Sequence, residues 1–187
     1  MNSPATVPTG EVPMALAPSD LDLLVDASRR GGQPGRIFDA VQTVAAKAIG
    51  YKLITIMLFD AERFEVERLY SSIPSVYPLG GRKKKASTAW GAHTLASMKV
   101  FRSTTLEGIR QMFDDHETMA GLGIGSILNI PIAYDGRCVG TMNLTHQEGW
   151  YQPGHERLGL LIGSFLSTPL ALLQSKTLGN SPIEKSI

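Results

Sequence analysis

Cysteine is all but absent from this sequence: Cys138 stands alone among 187 residues. A lone thiol excludes an internal disulfide framework and a cysteine-rich zinc site, and it fits a reducing cytosol. Neither basic nor acidic residues are in marked excess. Lys and Arg (18) nearly balance Asp and Glu (17), for a formal net charge of +1, so no global field directs the chain to nucleic acid or to an anionic membrane. The first 19 residues carry no Lys or Arg ahead of an apolar run, as a signal peptide would. With Pro4, Pro8, Pro13 and Pro18 they are expected to form a flexible tail, and residues 176–187 a second one. Leu158 to Ser175 lacks charge for long enough to approach the span of a bilayer. Gly159, Gly163, Ser164, Ser167, Thr168 and Pro169 interrupt it, which favours a buried or dimer-forming helix in a soluble, cytoplasmic protein.

What is present suits one globular domain. Hydrophobic residues make up 43% of the chain, too many for disorder, and a core at this length buries roughly 70% of the unfolded surface. Ser19 or Asp20 can cap a first helix bearing Leu21, Leu24 and Val25, which Gly31-Gly32 stop. A second helix runs from about Gly35 to Ile49, with Ile37, Val41, Val44, Ala45 and Ala48 at helical spacing. The period then changes: Leu53 to Phe59 and a return strand around Phe64 to Glu67 make a hairpin. Ser72 to Lys85 reads as a loop ending in the basic run 82–85. A helix at about Thr88–Ser97, a short strand at Val100–Arg102 and broken helical pieces over 105–122 follow. The second hairpin is the cleanest element: Ser126–Tyr134, a turn at Asp135-Gly136, then Arg137–Thr145. A last helix starts near Pro153 and is kinked by Pro169. Hairpin-joined strands with helices on one face make an α+β class.

Asn129 and Asn143 interrupt otherwise apolar strands, where an unpaired buried amide costs about 1–3 kcal/mol. They must meet water, each other, the backbone or a ligand. A three-residue loop with a bulge at Gly136 puts both on one face and a two-residue turn separates them; the bulge is the favoured register. Ile127, Asn129, Thr141, Asn143 and Thr145 then share a face suited to a small polar ligand, unless that face is simply solvated. Gly159, Gly163 and Ser167 recur every four residues and let another helix approach closely, either a second copy's or the protein's own first helix.

The segment Gly123-Ile124-Gly125-Ser126-Ile127-Leu128-Asn129-Ile130-Pro131-Ile132, with Asp135-Gly136-Arg137-Cys138-Val139-Gly140-Thr141-Met142-Asn143-Leu144, resembles the closing hairpin of GAF domains. Tyr151, Glu156, the Trp90-Gly91 helix and the two leading helices fall in that family's order, so the resemblance covers about residues 20–175. It implies a six-stranded or similar antiparallel sheet. Helices from both chain ends would cover one face and a ligand pocket the other, roofed by residues 72–122. It also implies pairing through terminal helices.

The family ranges from cyclic-nucleotide and chromophore sensing to one enzymatic activity, and fold alone does not decide among them. Against the nucleotide-binding signature Asn-Lys…Phe-x-x-x-Asp-Glu the chain offers His146, Gln147, Tyr151, His155 and Glu156, keeping the aromatic and the last Glu only. Free methionine sulfoxide reduction needs a reactive thiolate and usually a resolving thiol, whereas Cys138 is single and off-position, and Ile127, Asn143 and Thr145 stand where those enzymes carry carboxylates. Cys138 is followed by Val139 rather than the His common beside a bilin thioether. His93, His116, His146 and His155 show no metal-ligand spacing. The run Arg82–Lys85 lacks interleaved aromatics and reads as a solvated loop. Asp114–Glu117 offers a carboxylate to a ligand amine or cation, or solvates a loop.

These readings favour a non-enzymatic sensory or ligand-binding dimer without metal or cofactor, with Trp90, His93, Phe101, Asp115, Ile127, Asn129, Asn143 and Thr145 expected to hold a small polar molecule. No length remains for an output domain, so a signal would pass to another protein. A small reductase or hydrolase on the same pocket, or a pure dimerisation module without a pocket, are the competing expectations.

Overall fold

The computed structural model describes residues 15–179. Helix α1 (Pro18–Arg29) opens within the stretch expected to be a tail, and α6 (Ser167–Gly179) continues past residue 175; the remaining tail positions lie outside the described residues. Asp20 does not cap α1. It sits in the first turn, where its carboxylate accepts the Ala17 N–H at 2.9 Å and pairs with Lys47 at 2.7 Å. Lys47 belongs to α2 (Gly35–Ala48), so this ion pair ties the two leading helices together.

The strands are β1 (Leu53–Asp60), β2 (Glu65–Ser71), β3 (Arg82–Lys84), β4 (Phe101–Ser103), β5 (Ser126–Tyr134) and β6 (Arg137–His146). They form one antiparallel sheet in the order β3-β2-β1-β6-β5-β4. The expected loop through Lys85 thus contains an edge strand: Arg82, Lys83 and Lys84 pair with Glu67, Val66 and Glu65. Opposite charges facing each other across the ladder favour this pairing.

Alternation along the strands makes the two faces different. Ile54, Ile56 and Leu58 of β1, Leu128, Ile130 and Ile132 of β5, and Met142 and Leu144 of β6 turn to one side. There they pack with α2, with α5 (Pro153–Gly163) and with α6, forming the main core. Gly159 and Gly163 face this core: a Cβ would lie 2.6 Å from Ile130 Cδ1 at Gly159 and 2.8 Å from Ile132 Cδ1 at Gly163. The glycine spacing therefore seats α5 on the sheet, and not on α1 or a second copy. A short 3-10 turn at Ser164–Leu166 separates α5 from α6. Pro153–Lys176 is long and apolar enough to cross a membrane; here its Leu158, Ile162, Leu166 and Leu170 lie in the core.

The opposite face is roofed by residues 72–125: one π-helical turn (Gly91–Ala96) stands in place of the regular helix expected over 88–97, and α3 (Leu106–Arg110) and α4 (His116–Gly121) are the short helical pieces expected over 105–122. Gly91 allows a tight crossing there, since a Cβ would come 2.2 Å from the Lys85 carbonyl. The Thr88 hydroxyl accepts the Gly91 N–H at 3.0 Å. Lys85 and Trp90 are thereby held side by side.

The hairpin register corrects one expectation and keeps its consequence. Asp135 and Gly136 form a two-residue turn with φ of 49° and 71°, both in the left-handed region that suits such a loop. The extra residue is Val139, because Ile132 pairs with Gly140 and Ala133 with Cys138. The bulge lies inside β6 rather than at Gly136, and it brings Asn129 directly opposite Asn143.

Candidate functional site

Between the roofed face and its cover lies a cavity of about 70 Å³, room for several waters or one small ligand. Its floor comes from alternate residues of the central strands: Leu53, Thr55 and Met57 of β1, Ile127 and Asn129 of β5, and Asn143 and Thr145 of β6. Its roof and rim carry Tyr77, Lys83, Lys85, Trp90, Phe113, Asp115 and Met119, with Val66 and Arg68 of β2 at one end.

A chain of buried hydrogen bonds runs across the floor. Trp90 Nε1 donates to Asn129 Oδ1 at 3.0 Å, and Asn129 Nδ2 donates to Asn143 Oδ1 at 2.8 Å. Asn143 Nδ2 donates in turn to Thr55 Oγ1 at 3.2 Å and Thr141 Oγ1 at 3.1 Å. Thr145 Oγ1 donates to the Leu53 carbonyl at 3.3 Å. Asn129 is 1% exposed and Asn143 7%, so each amide is satisfied where an orphan would be costly. The network also clamps the Trp90 indole to the sheet, which fixes the roof to the floor.

Charge is concentrated at the β2–β3 end. Arg68 is 8% exposed and donates from Nη1 to the Pro78 carbonyl at 2.9 Å, while its Nε has no partner. Its guanidinium lies 5.2 Å from the Tyr77 ring centre. Burial lowers the Arg68 pKa, and nearby Asp115 opposes that. Lys85 is shifted down by burial and then by Lys83, and its Nζ sits 5.3 Å from the Trp90 ring. Lys83 faces Asp115 at 3.8 Å. The Tyr77 hydroxyl is buried with no hydrogen bond of ordinary length, though it lies near the Asp115 carboxylate; burial first, and that carboxylate second, push its pKa up to about 12.

Of the residues expected to form the site, Trp90, Asp115, Ile127, Asn129, Asn143 and Thr145 line the cavity. His93 and Phe101 do not. His93 Nε2 donates to the Val100 carbonyl at 3.0 Å and its ring meets Phe101 edge-on. Phe101 packs edge-on against Phe113, so both support a wall residue from behind: β4 is an edge strand and its side chain stops short of the cavity. Arg68, Tyr77, Lys83, Lys85 and Phe113 were not foreseen. Arg68 shares the parity of Val66, the buried one in β2, whereas Glu65 and Glu67 point the other way. A cation on the apolar parity was the available signal. The basic run is not merely solvated, because pairing of Lys83 with Val66 turns it toward the cavity.

The remaining suspects have structural partners. Cys138 is buried, its Sγ donates to the Gly140 carbonyl at 3.4 Å, and burial raises its pKa to about 11. Glu156 accepts from Arg102 Nε at 2.6 Å, and the Tyr151 hydroxyl donates to the Gly50 carbonyl at 3.2 Å. Among the described residues no three His, Cys, Asp or Glu side chains gather as a metal site would require.

Comparison with known proteins agrees with this architecture. The GAF domain model matches residues 33–176. No curated protein sequence matches the chain. The fold is similar to the GAF domain of a phosphoenolpyruvate-protein phosphotransferase from Coxiella burnetii (TM-score 0.67, 13% identity, 86% of this chain and 95% of that one). It is also similar to the GAF domain of the Acinetobacter phosphoenolpyruvate-protein phosphotransferase (0.67, 15%, 89% and 100%). A third likeness is to the chromophore-binding domain of the bacteriophytochrome RpBphP3 from R. palustris (0.62, 13%, 84% and 62%). With a family model spanning most of its length and a six-stranded sheet roofed on one face, this chain belongs to the GAF domain family.

Proposed function

We propose that this chain is a non-enzymatic sensory domain that binds a small polar molecule between the sheet and the roof formed by residues 77–119. It works as a cytosolic homodimer and passes its signal to a separate output protein. The observation that carries the reading is the cavity over the Trp90–Asn129–Asn143 network. Strands that could have been apolar throughout present a polar floor, and one indole couples that floor to the roof, so occupancy would be felt at both. Burial and the raised pKa of Cys138 favour binding over thiol chemistry, since a neutral enclosed thiol is a poor nucleophile. Leu160, Leu161 and Leu172, all exposed on the terminal helices, supply apolar surface for pairing in place of the glycine spacing, which the sheet uses.

Native mass spectrometry of the full chain, purified from its own host without denaturation, tests this directly. A dimer carrying a small-molecule adduct, lost on denaturation, is the expected spectrum. A dimer without adduct would favour a dimerisation module, and a bare monomer would remove both parts of the proposal.

A further inference from the structure

The cavity is charged unevenly. Arg68, Lys83 and Lys85 reach it from one end, and Asp115 is the only acidic residue in its lining. That carboxylate lies 3.8 Å from Lys83 and near the Tyr77 hydroxyl. Arg68 is over nine-tenths buried with an orphan Nε, and beside it the Tyr77 hydroxyl is buried and orphaned too. A buried cation without a carboxylate partner is disfavoured unless something supplies the charge, and buried donors without acceptors are rare in folded proteins. Both unmatched donors, and both lysines, line this one cavity. The rest of the lining is apolar and aromatic, with Trp90 beside Lys85 and with Phe113, Met119 and Ile127.

We infer that the β2–β3 end of the cavity is an anion subsite, in which Arg68, Lys83, Lys85 and the Tyr77 hydroxyl hold the carboxylate or phosphate group of a small organic ligand whose apolar body lies against Trp90, Phe113 and Met119. This rests on the ligand-binding reading above and adds the sign and placement of the ligand's charge. Asp115 acts as a partial internal counter-ion there: it steadies the empty site and opposes an arriving anion. Guanidinium and oxyanion are matched in geometry as well as charge, and two lysines beside them suit a group with several acceptor oxygens.

A probe series of constant shape and changing charge separates the two levels of the argument. Benzoate, benzamide and benzamidine are titrated into the full chain at neutral pH and followed calorimetrically. The expected result is benzoate binding at least about tenfold more tightly than benzamide, with benzamidine weakest, as one charge–charge contact in a partly shielded site predicts. Asp115→Asn raises benzoate affinity roughly threefold to tenfold relative to that of benzamide. Arg68→Met and Lys85→Met each shrink the preference for benzoate. Lys85 is less enclosed than Arg68, so its variant serves if Arg68→Met does not fold. Equal or tighter binding of benzamide or benzamidine overturns the anion subsite and leaves the ligand-binding reading standing. A benzoate preference that survives these substitutions places the anion elsewhere and also overturns it. Failure of all three probes to bind overturns the subsite as drawn, while the native mass spectrum decides the ligand-binding reading separately.

Discussion

Replacing Asn143 by leucine tests whether the polar floor of the cavity is held by the protein itself. Asn143 makes hydrogen bonds to Asn129, Thr55 and Thr141, all buried. Each contributes about 1 kcal/mol net, and the amide of Asn129 is left with an unmatched donor. Leucine regains part of this through apolar contact with the cavity wall, so the net loss is about 1–3 kcal/mol. For a domain of this size that is a fall in Tm of about 2–4 °C per kcal/mol. The informative measurement is a double-mutant cycle by urea unfolding with Asn129→Leu, Asn143→Leu and the pair. Once one amide is gone the other has no cross-strand partner to lose, so the pair costs less than the sum by about 1 kcal/mol or more. An Asn143→Leu effect within about 0.5 kcal/mol of zero, together with additivity, would refute the reasoning: water in the cavity would then be satisfying these amides, and the network would not be the floor.

Acid should loosen the start of α5. His155 Nδ1 accepts the Gln152 N–H at 2.9 Å and His146 Nδ1 the Gln147 N–H at 2.8 Å, and burial holds both imidazoles below their ordinary 6.5. The unfolded chain therefore binds these protons first, so their contribution is complete above about pH 6.5 and is lost as the pH falls toward the folded values. Urea midpoints measured across that range should drop, and drop less steeply in His155→Gln. Cys138 should react with an aromatic disulfide reagent in the native protein only at the rate of unfolding, and rapidly in denaturant; fast native labelling would contradict its burial. Gly140→Ala places a Cβ 2.2 Å from the Met57 carbonyl and must part β1 from β6, costing about 3 kcal/mol. Gly159→Ala meets side-chain atoms alone, Ile130 Cδ1 at 2.6 Å and Cγ1 at 2.8 Å, and should cost less, an order that thermal unfolding of the two variants checks.

Much of the architecture was legible because the sequence changes period where the structure changes element. The apolar spacing of Ile37, Val41 and Val44 belongs to a helix and the alternation around Asn143 to a strand. β3 was not legible, since Arg82-Lys83-Lys84 has no apolar residue to mark a face; cross-strand charge pairing with Glu67 and Glu65 creates that strand, and this is a tertiary event. The hairpin shows a different limit. Asp135-Gly136 reads directly as a tight turn, but the bulge at Val139 leaves no local signature, being required only to bring both strands' apolar residues onto the helices. Within the site, the floor was visible as polar residues on apolar strands. The rim was hidden because Arg68, Tyr77 and Lys85 are brought together from separate segments by chain crossings, including the close approach at Gly91.

Strand β3 also decides what this sheet can do at its border. An open antiparallel edge presents unpaired backbone groups that invite another chain to add on. Here the border strand is three residues long, every one of them cationic and exposed, and the far border, β4, is equally short. A second copy approaching β3 edge-on would bring like charges into register, so the sheet ends where it does and lateral growth into aggregates is disfavoured. The lysine turned toward the cavity belongs to this same guarded border. The chain therefore cannot shed basicity at β3 to retune what the cavity accepts without also opening the sheet to its neighbours.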